Sequence, residues 1–285
     1  MKKTVLLIGA NGGVGSATAQ ALLDAGHEVV ATVSRPEKLA AFQNSMPGIS
    51  HSVALDLSDA SIVRQSVEAL VADLPRLDAV ITCSALSPYA PAEFMPFEMY
   101  RRVSEINCLS NLAVFQATIA ALRRSKGRMV IVGSLSGRVA TPMMGAYVAS
   151  KFALEGLVDV MRQETSDQGV KIVLLQPGAI DTPMISESSR LLERLIDDLS
   201  PEESRLYGNF YRQMKNRVDV AIERSLAMPP AKVAEAALTA ITVAEPETRY
   251  RVGADAEFLV DASRTKSDVE IDDIVLEIYR SGQTS

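Results

Sequence analysis

Short aliphatic runs alternate with helical stretches through most of the chain, and the first run ends in glycines. Thr4-Val5-Leu6-Leu7-Ile8 leads directly into Gly9-Ala10-Asn11-Gly12-Gly13-Val14-Gly15. This alternation is the feature that most restricts the fold. Runs that are apolar throughout, rather than at every second residue, must be covered on both faces. That requirement implies a parallel sheet with helices on each side, joined by right-handed crossovers. Strands are predicted at residues 4–8, 28–33, 52–55, 79–83, 128–132 and 171–176. Helices are predicted at 14–25, 61–74, 99–124 and 146–168, with Gly26, Gly127 and Gly169 where three of them should stop. Beyond Gln176 the rhythm breaks. Residues 183–230 are charged and amphipathic and read as a helical insertion over the sheet edge, a candidate lid. A helix at 231–243 and a last strand at 248–253 follow, and the tail from Asp255 is weakly patterned. The expected architecture is α/β: a single doubly wound domain over residues 1–285.

The glycine loop carries the first chemical signal. Glycines let backbone amides approach a pyrophosphate, and the helix that follows offers unpaired N–H groups and the positive end of its dipole. Gly9, Gly13 and Gly15 fit G-x-x-x-G-x-G, while Gly12 also allows G-x-x-G-x-x-G. Gly9, Asn11, Gly13, Val14 and Gly15 are therefore candidate contacts to a dinucleotide. An acidic residue ending the second strand would hold the adenine ribose hydroxyls. Here Val33 takes that place, and Ser34 and Arg35 follow. A hydroxyl and a forked guanidinium suit a 2′-phosphate, so NADP(H) is expected over NAD(H).

Composition excludes several alternatives. A net charge of −6 with no run of Lys and Arg argues against nucleic acid as a partner. No stretch of about 20 apolar residues stands out, so no membrane span is expected. The basic start Met1-Lys2-Lys3 precedes an apolar run too short for a signal peptide. Cys83 and Cys108 are not in a Cys-x-x-Cys pair and read as small buried hydrophobes in a cytoplasmic protein. With His27 and His51 as the two histidines, no metal site is expected.

The second signal is Tyr147-Val148-Ala149-Ser150-Lys151 at the start of a helix. Positions i and i+4 share a helix face, so phenol and ammonium can be neighbours. A free phenol has a pKa of about 10, and a nearby cation lowers it, making the pair a general acid–base for an alcohol or ketone. Ser134, thirteen residues earlier, sits in Gly133-Ser134-Leu135-Ser136-Gly137 at the carboxyl end of a predicted strand, where ligands bind in open α/β sheets. A serine there can hydrogen-bond a substrate carbonyl.

With these residues in order, the chain resembles the short-chain dehydrogenase/reductase family from about Lys3 to Gly253. The resemblance adds Asp56-Leu57, Asn107 and Gln176-Pro177-Gly178-Ala179-Ile180-Asp181-Thr182. It implies Tyr147 as proton donor in ketone reduction. Lys151 would lower the Tyr147 pKa and bind the nicotinamide ribose. Ser134 would hold the substrate oxygen, and Asn107 would anchor a water relay to Lys151. Pro177, Gly178 and Thr182 would seat the nicotinamide, and Asp56 and Leu57 would contact the adenine. There are departures. Ile8 replaces the usual Thr before the glycine loop. Thr82-Cys83-Ser84-Ala85 replaces Asn-Asn-Ala-Gly, leaving Ser84 and Ala85 to pass the ribose. Gly12 stands where many NADP-preferring members have a basic residue.

Two segments, 137–157 and 248–256, look like the hydroxysteroid and retinol dehydrogenase branch. That resemblance implies a lipophilic secondary alcohol or ketone as the small-molecule substrate. Leu86, Tyr89, Val139, Met143, Met144, Met184 and Ile185 are the candidate pocket wall, since Met-rich walls adapt to bulky apolar ligands. The helices at 99–124 and around Lys151 look like the family's dimer helices, implying a homodimer or homotetramer. The alternative reading is a catalytically silent dinucleotide-binding regulator or scaffold, which needs the glycine loop but neither Tyr147 nor Lys151.

Overall fold

The structure is a computed structural model describing residues 1–281. The last four residues of the expected domain lie outside the described residues. Seven strands form one sheet in the order β3-β2-β1-β4-β5-β6-β7: β1 (Thr4–Ile8), β2 (Glu28–Val33), β3 (His51–Ala54), β4 (Ala79–Thr82), β5 (Arg128–Val132), β6 (Lys171–Pro177) and β7 (Arg249–Val252). Every pairing is parallel, with Leu6 opposite Val30 on one side and Val80 on the other. Val5, Leu6 and Leu7 are fully buried, as strands covered on both faces must be.

The helices divide between the faces. On one side α1 (Gly13–Asp24), α2 (Leu39–Ser45) and α9 (Pro230–Thr242) close a core of Leu22, Phe42, Val233 and Ile241 over Val5, Leu7 and Val130. On the other lie α3 (Ala60–Ala72), α5 (Ser110–Ser125) and α6 (Gly145–Glu164), whose Val67, Leu122 and Val158 pack over Leu6, Val80 and Met129. Helix α5 continues α4 (Phe97–Ser104) through a π-turn at Glu105–Leu109. The joined helix Phe97–Ser125 corrects one expectation. Its most apolar window has a mean hydropathy of 1.2, so by length and composition alone it is long and apolar enough to cross a membrane. However, 56% of its most apolar window lies buried inside the fold, against α3 and α6.

The expected insertion is two packed helices, α7 (Pro183–Asp197) and α8 (Pro201–Glu223), followed by a bridge between Ile180 and Met228 that returns the chain to α9. The tail is more ordered than its sequence suggested. It forms α10 (Ala254–Thr265) and α11 (Asp268–Ser281). Leu259, Val260 and Val275 from these helices bury Leu135 and Val139, and Tyr279 reaches under α8.

Candidate active site

The sheet order reverses between β1 and β4, and the glycine loop opens at that crevice. Gly9 has φ +80°, and a Cβ there would lie 2.1 Å from the Ser84 hydroxyl. At Gly13 a Cβ would lie 2.6 Å from the Thr182 methyl group, so loop and β6 turn approach as closely as glycine allows. Gly12 caps α1 without a side-chain hydrogen bond, which leaves the first-turn amides of α1 free to meet an anion. Asn11 does not point outward. Its carbonyl accepts the Ser34 amide at 2.9 Å and fastens the loop to the end of β2. Val14 and Gly15 lie on the inner first turn of α1, and Ser84 and Ala85 line the opposite wall half-buried. These features fit a dinucleotide.

Arg35 follows β2 in extended backbone and is exposed. Its guanidinium lies 3.8 Å from the Glu37 carboxylate, an internal competitor for a phosphate. Asp56 is exposed and accepts the Ser58 amide, while Leu57 is buried in the core below it. Pro177 is buried at the end of β6, and Ala179 after it donates its amide to Asp255 at 2.8 Å.

The reacting groups converge on the crevice from three elements. Ser134 ends β5, caps a short 3-10 turn (Leu135–Gly137), and accepts the Ser136 amide at 3.1 Å. Its hydroxyl also acts on the Tyr147 phenol, favouring the phenolate. Tyr147 and Lys151 share a face at the start of α6, with the ammonium 5.6 Å from the ring centroid. Lys151 is 2% exposed and donates to the Val132 carbonyl at 3.1 Å. Here one expectation needs correction. Burial dominates at Tyr147 and pushes the phenol up to about 12. Ser134 opposes that rise, Tyr89 adds to it, and Lys151 is not what sets the value. Lys151 is itself drawn down to about 8 by burial. Burial disfavours both charged forms, so Tyr147 rests as a neutral phenol while Lys151 keeps its ammonium at pH 7.

Asn107 commits its side chain to the loop after β4 and to α6. Its amide carbonyl accepts the Leu86 amide at 2.8 Å, and its NH2 donates to the Leu86 carbonyl at 2.9 Å and to Ser150 at 3.0 Å. Ser150 in turn donates to the Tyr147 carbonyl at 2.7 Å. The side chain braces the loop after β4 against the catalytic helix. Both of its amide protons are used there. The π-turn puts Asn107 in position, and no propensity signal in the sequence marked that turn.

The candidate pocket residues separate into groups. Tyr89, Met143 and Met144 meet α7 and α8 in one cluster, and the Tyr89 hydroxyl donates to Ser188 at 3.2 Å. Met143 has φ +70°, and Leu86 packs toward α4. Ile185 is half-buried and Met184 exposed on the first turn of α7. Val139 leaves the set: it is 1% exposed and belongs to the core beneath the C-terminal helices. Cys83 has its thiol pushed up to about 12 by burial, which disarms it as a nucleophile.

Residues missed from the sequence hold this site together. Glu155, one turn beyond Lys151, accepts from Gln176 at 2.6 Å and Arg249 at 2.9 Å and pairs with Arg138 at 2.9 Å. Arg249 also pairs with Asp159 at 2.9 Å. One buried carboxylate thus ties the Ser134 turn, α6, β6 and β7. The i+4 spacing of Glu155 from Lys151 was the available signal.

Comparison with known proteins agrees with this geometry. Residues 3–192 match the family model for short chain dehydrogenases. The chain is 27% identical over 254 residues, 87% of each protein, to the NADPH-dependent 3-dehydrocapnine reductase of Ornithobacterium rhinotracheale. It is 26% identical over 261 residues to retinol dehydrogenase 5 of Homo sapiens, covering 90% of this chain and 82% of that one. A short chain dehydrogenase from Burkholderia cenocepacia, solved in complex with NADP, shares the fold at a TM-score of 0.72 and 21% identity, over 96% of this chain and 98% of that one.

Proposed function

Because the chain belongs to the short-chain dehydrogenase family of oxidoreductases that act on CH–OH groups, we propose that it interconverts a secondary alcohol and a ketone of a lipophilic small molecule, with NADP(H) preferred. The observation that carries the reading is Tyr147 and Lys151 on one face at the start of α6, with Ser134 at the carboxyl end of β5. The glycine loop, Ser34, Arg35, Pro177, Gly178 and Thr182 would hold the dinucleotide, which supplies or accepts the hydride. Ser134 orients the substrate oxygen. Tyr147 gives its phenol proton to that oxygen in reduction and takes it back in oxidation. At neutral pH the phenol holds its proton, the form from which it can donate in reduction. A relative named for NADPH and a neighbour solved with NADP support the cofactor, and the retinol dehydrogenase relative supports an apolar substrate.

Helices α7 and α8 act as the cover of this site. The chain works in the cytoplasm as a homo-oligomer, an assembly supported by the exposed Leu109, Phe152 and Val160 on the helices flanking the site. The test of the function is a screen of purified protein with NADPH and NADH against a panel of ketones, repeated with Tyr147→Phe. The variant should lose well over tenfold in kcat, more than about 1.4 kcal/mol of transition-state stabilisation, while binding cofactor within a few-fold of wild type. A wild type that binds NADPH yet turns over no ketone would support the silent regulator instead.

A further inference from the structure

The turn that follows β6 is gripped from several sides. The Gly178 amide donates to the Val252 carbonyl at 3.0 Å, and the Asp181 amide to the Met228 carbonyl at 2.8 Å. The Ala179 carbonyl accepts the Met228 amide at 3.0 Å. These bonds join backbone to backbone and do not depend on any side chain. The remaining bond does: the Ala179 amide donates to the Asp255 carboxylate at 2.8 Å.

The backbone makes room for that carboxylate at two places. Gly253 has φ +103°, a conformation glycine adopts without strain, and there the chain turns from β7 into α10. A Cβ at Gly253 would lie 2.8 Å from Oδ1 of Asp255, and a Cβ at Gly178 would collide with the same carboxylate. The other carboxylate oxygen accepts the Ala256 amide at 2.9 Å, so one group spans the β6 turn and the first turn of α10. At the far end of the β6 turn, Thr182 meets the glycine loop, where a Cβ on Gly13 would lie 2.6 Å from its methyl group. The turn is thus held between the glycine loop and Asp255. Helix α10 supports the other half of the site as well, because its Leu259 and Val260 pack with Leu135, the neighbour of Ser134. Asp255 ties the β6 turn to the helix on which the Ser134 turn rests.

We infer that Asp255 is a positioning residue for the nicotinamide end of the dinucleotide, acting through the Ala179 amide rather than on a reacting atom. The inference deepens the proposed oxidoreduction and rests on it for the cofactor. Its test reads binding instead of turnover. NADPH is compared with 2′-phospho-ADP-ribose, the same molecule without its nicotinamide ring, and NADH with ADP-ribose. Each is titrated calorimetrically into wild type, Asp255→Asn and Asp255→Ala. In wild type the complete cofactor should bind about tenfold more tightly than its truncated partner, the span of one or two hydrogen-bonding contacts. That ratio should fall toward one in Asp255→Ala. It should be partly kept in Asp255→Asn, which has one acceptor oxygen for two amides. Affinity for the truncated ligand should stay within about threefold throughout, since the glycine loop is untouched. A merely structural role would weaken both ligands alike and leave the ratio unchanged, and that result overturns the inference. So does a wild-type ratio under threefold. If Asp255→Ala fails to fold, an unchanged ratio in Asp255→Asn overturns it equally. A wild type that binds none of the four ligands removes the oxidoreduction together with this inference. A wild type that reduces ketones while the variants keep its ratio removes this inference alone.

Discussion

Lys151 carries its ammonium where water scarcely reaches, with a backbone carbonyl as its hydrogen-bond acceptor. Folding must strip that cation of solvent, so the residue should work against stability. Lys151→Met is therefore expected to be inactive and yet more stable than wild type without added cofactor, by on the order of 1–3 kcal/mol at pH 7. The pH dependence has a definite sign. The folded-state value, about 8, lies below the ordinary 10.5, so the unfolded chain binds more protons between them and wild-type stability rises with pH. The advantage of Lys151→Met should be full below pH 8 and shrink as pH climbs from there toward 10.5. Urea denaturation at several pH values checks it, and a destabilised variant at pH 7 would contradict it. Arg35 poses a different question, being exposed and beside Glu37. Arg35→Ala should lower the NADPH-to-NADH ratio of kcat/KM roughly tenfold, and Glu37→Ala should raise it by freeing the guanidinium. Steady-state kinetics with both cofactors at fixed ionic strength is the measurement. An unchanged ratio in Arg35→Ala would move the preference to Ser34 or Lys38.

Among the elements, α6 depends on Glu155 as much as on its apolar face. Glu155→Ala leaves Arg138 and Arg249 without their buried carboxylate and should cost about 3–5 kcal/mol, or roughly 10 °C in Tm. If the loss is one of charge balance, pairing Glu155→Leu with Arg249→Met should recover much of it, and a double variant no better than the single would refute that account. Helices α7 and α8 make the opposite prediction. As a cover they should gain hydrogen-exchange protection when NADPH and a ketone are added together, and ligand-independent protection would count against closure. All seven strands could be read from the sequence within two residues at each end, because buried parallel strands announce themselves as unbroken apolar runs. Tyr147, Lys151 and Ser134 were legible too, since i to i+4 spacing and a strand end fix their neighbourhood. Helix α11 was not, although Ile271, Ile274, Val275 and Ile278 repeat at helical spacing. Its acidic residues between those positions masked the stripe. The Tyr147 pKa was misjudged for another reason: depth of burial is a property of the folded crevice, and no spacing rule contains it.

For the molecule as a whole, the exposed apolar residues of α5 and α6 are where the proposed homo-oligomer would join. Phe152 and Val160 are 45% and 49% exposed, eight residues apart on one side of α6, and Leu109 is 39% exposed where α5 begins. Phe152→Glu with Val160→Glu should place charge at the centre of that contact and yield a monomer by sedimentation, whereas an unchanged mass would put the interface elsewhere. The π-turn at Glu105–Leu109 takes on a wider meaning at this scale. Downstream of it the long helix answers to α3 and the sheet; upstream it answers to α6 and the pocket. Removing one residue there would give a straighter rod with regular hydrogen bonds, and would swing everything before it through about 100°. The single extra residue is thus a compromise between two clients of one helix, and a lineage that tidied the helix would lose the pocket.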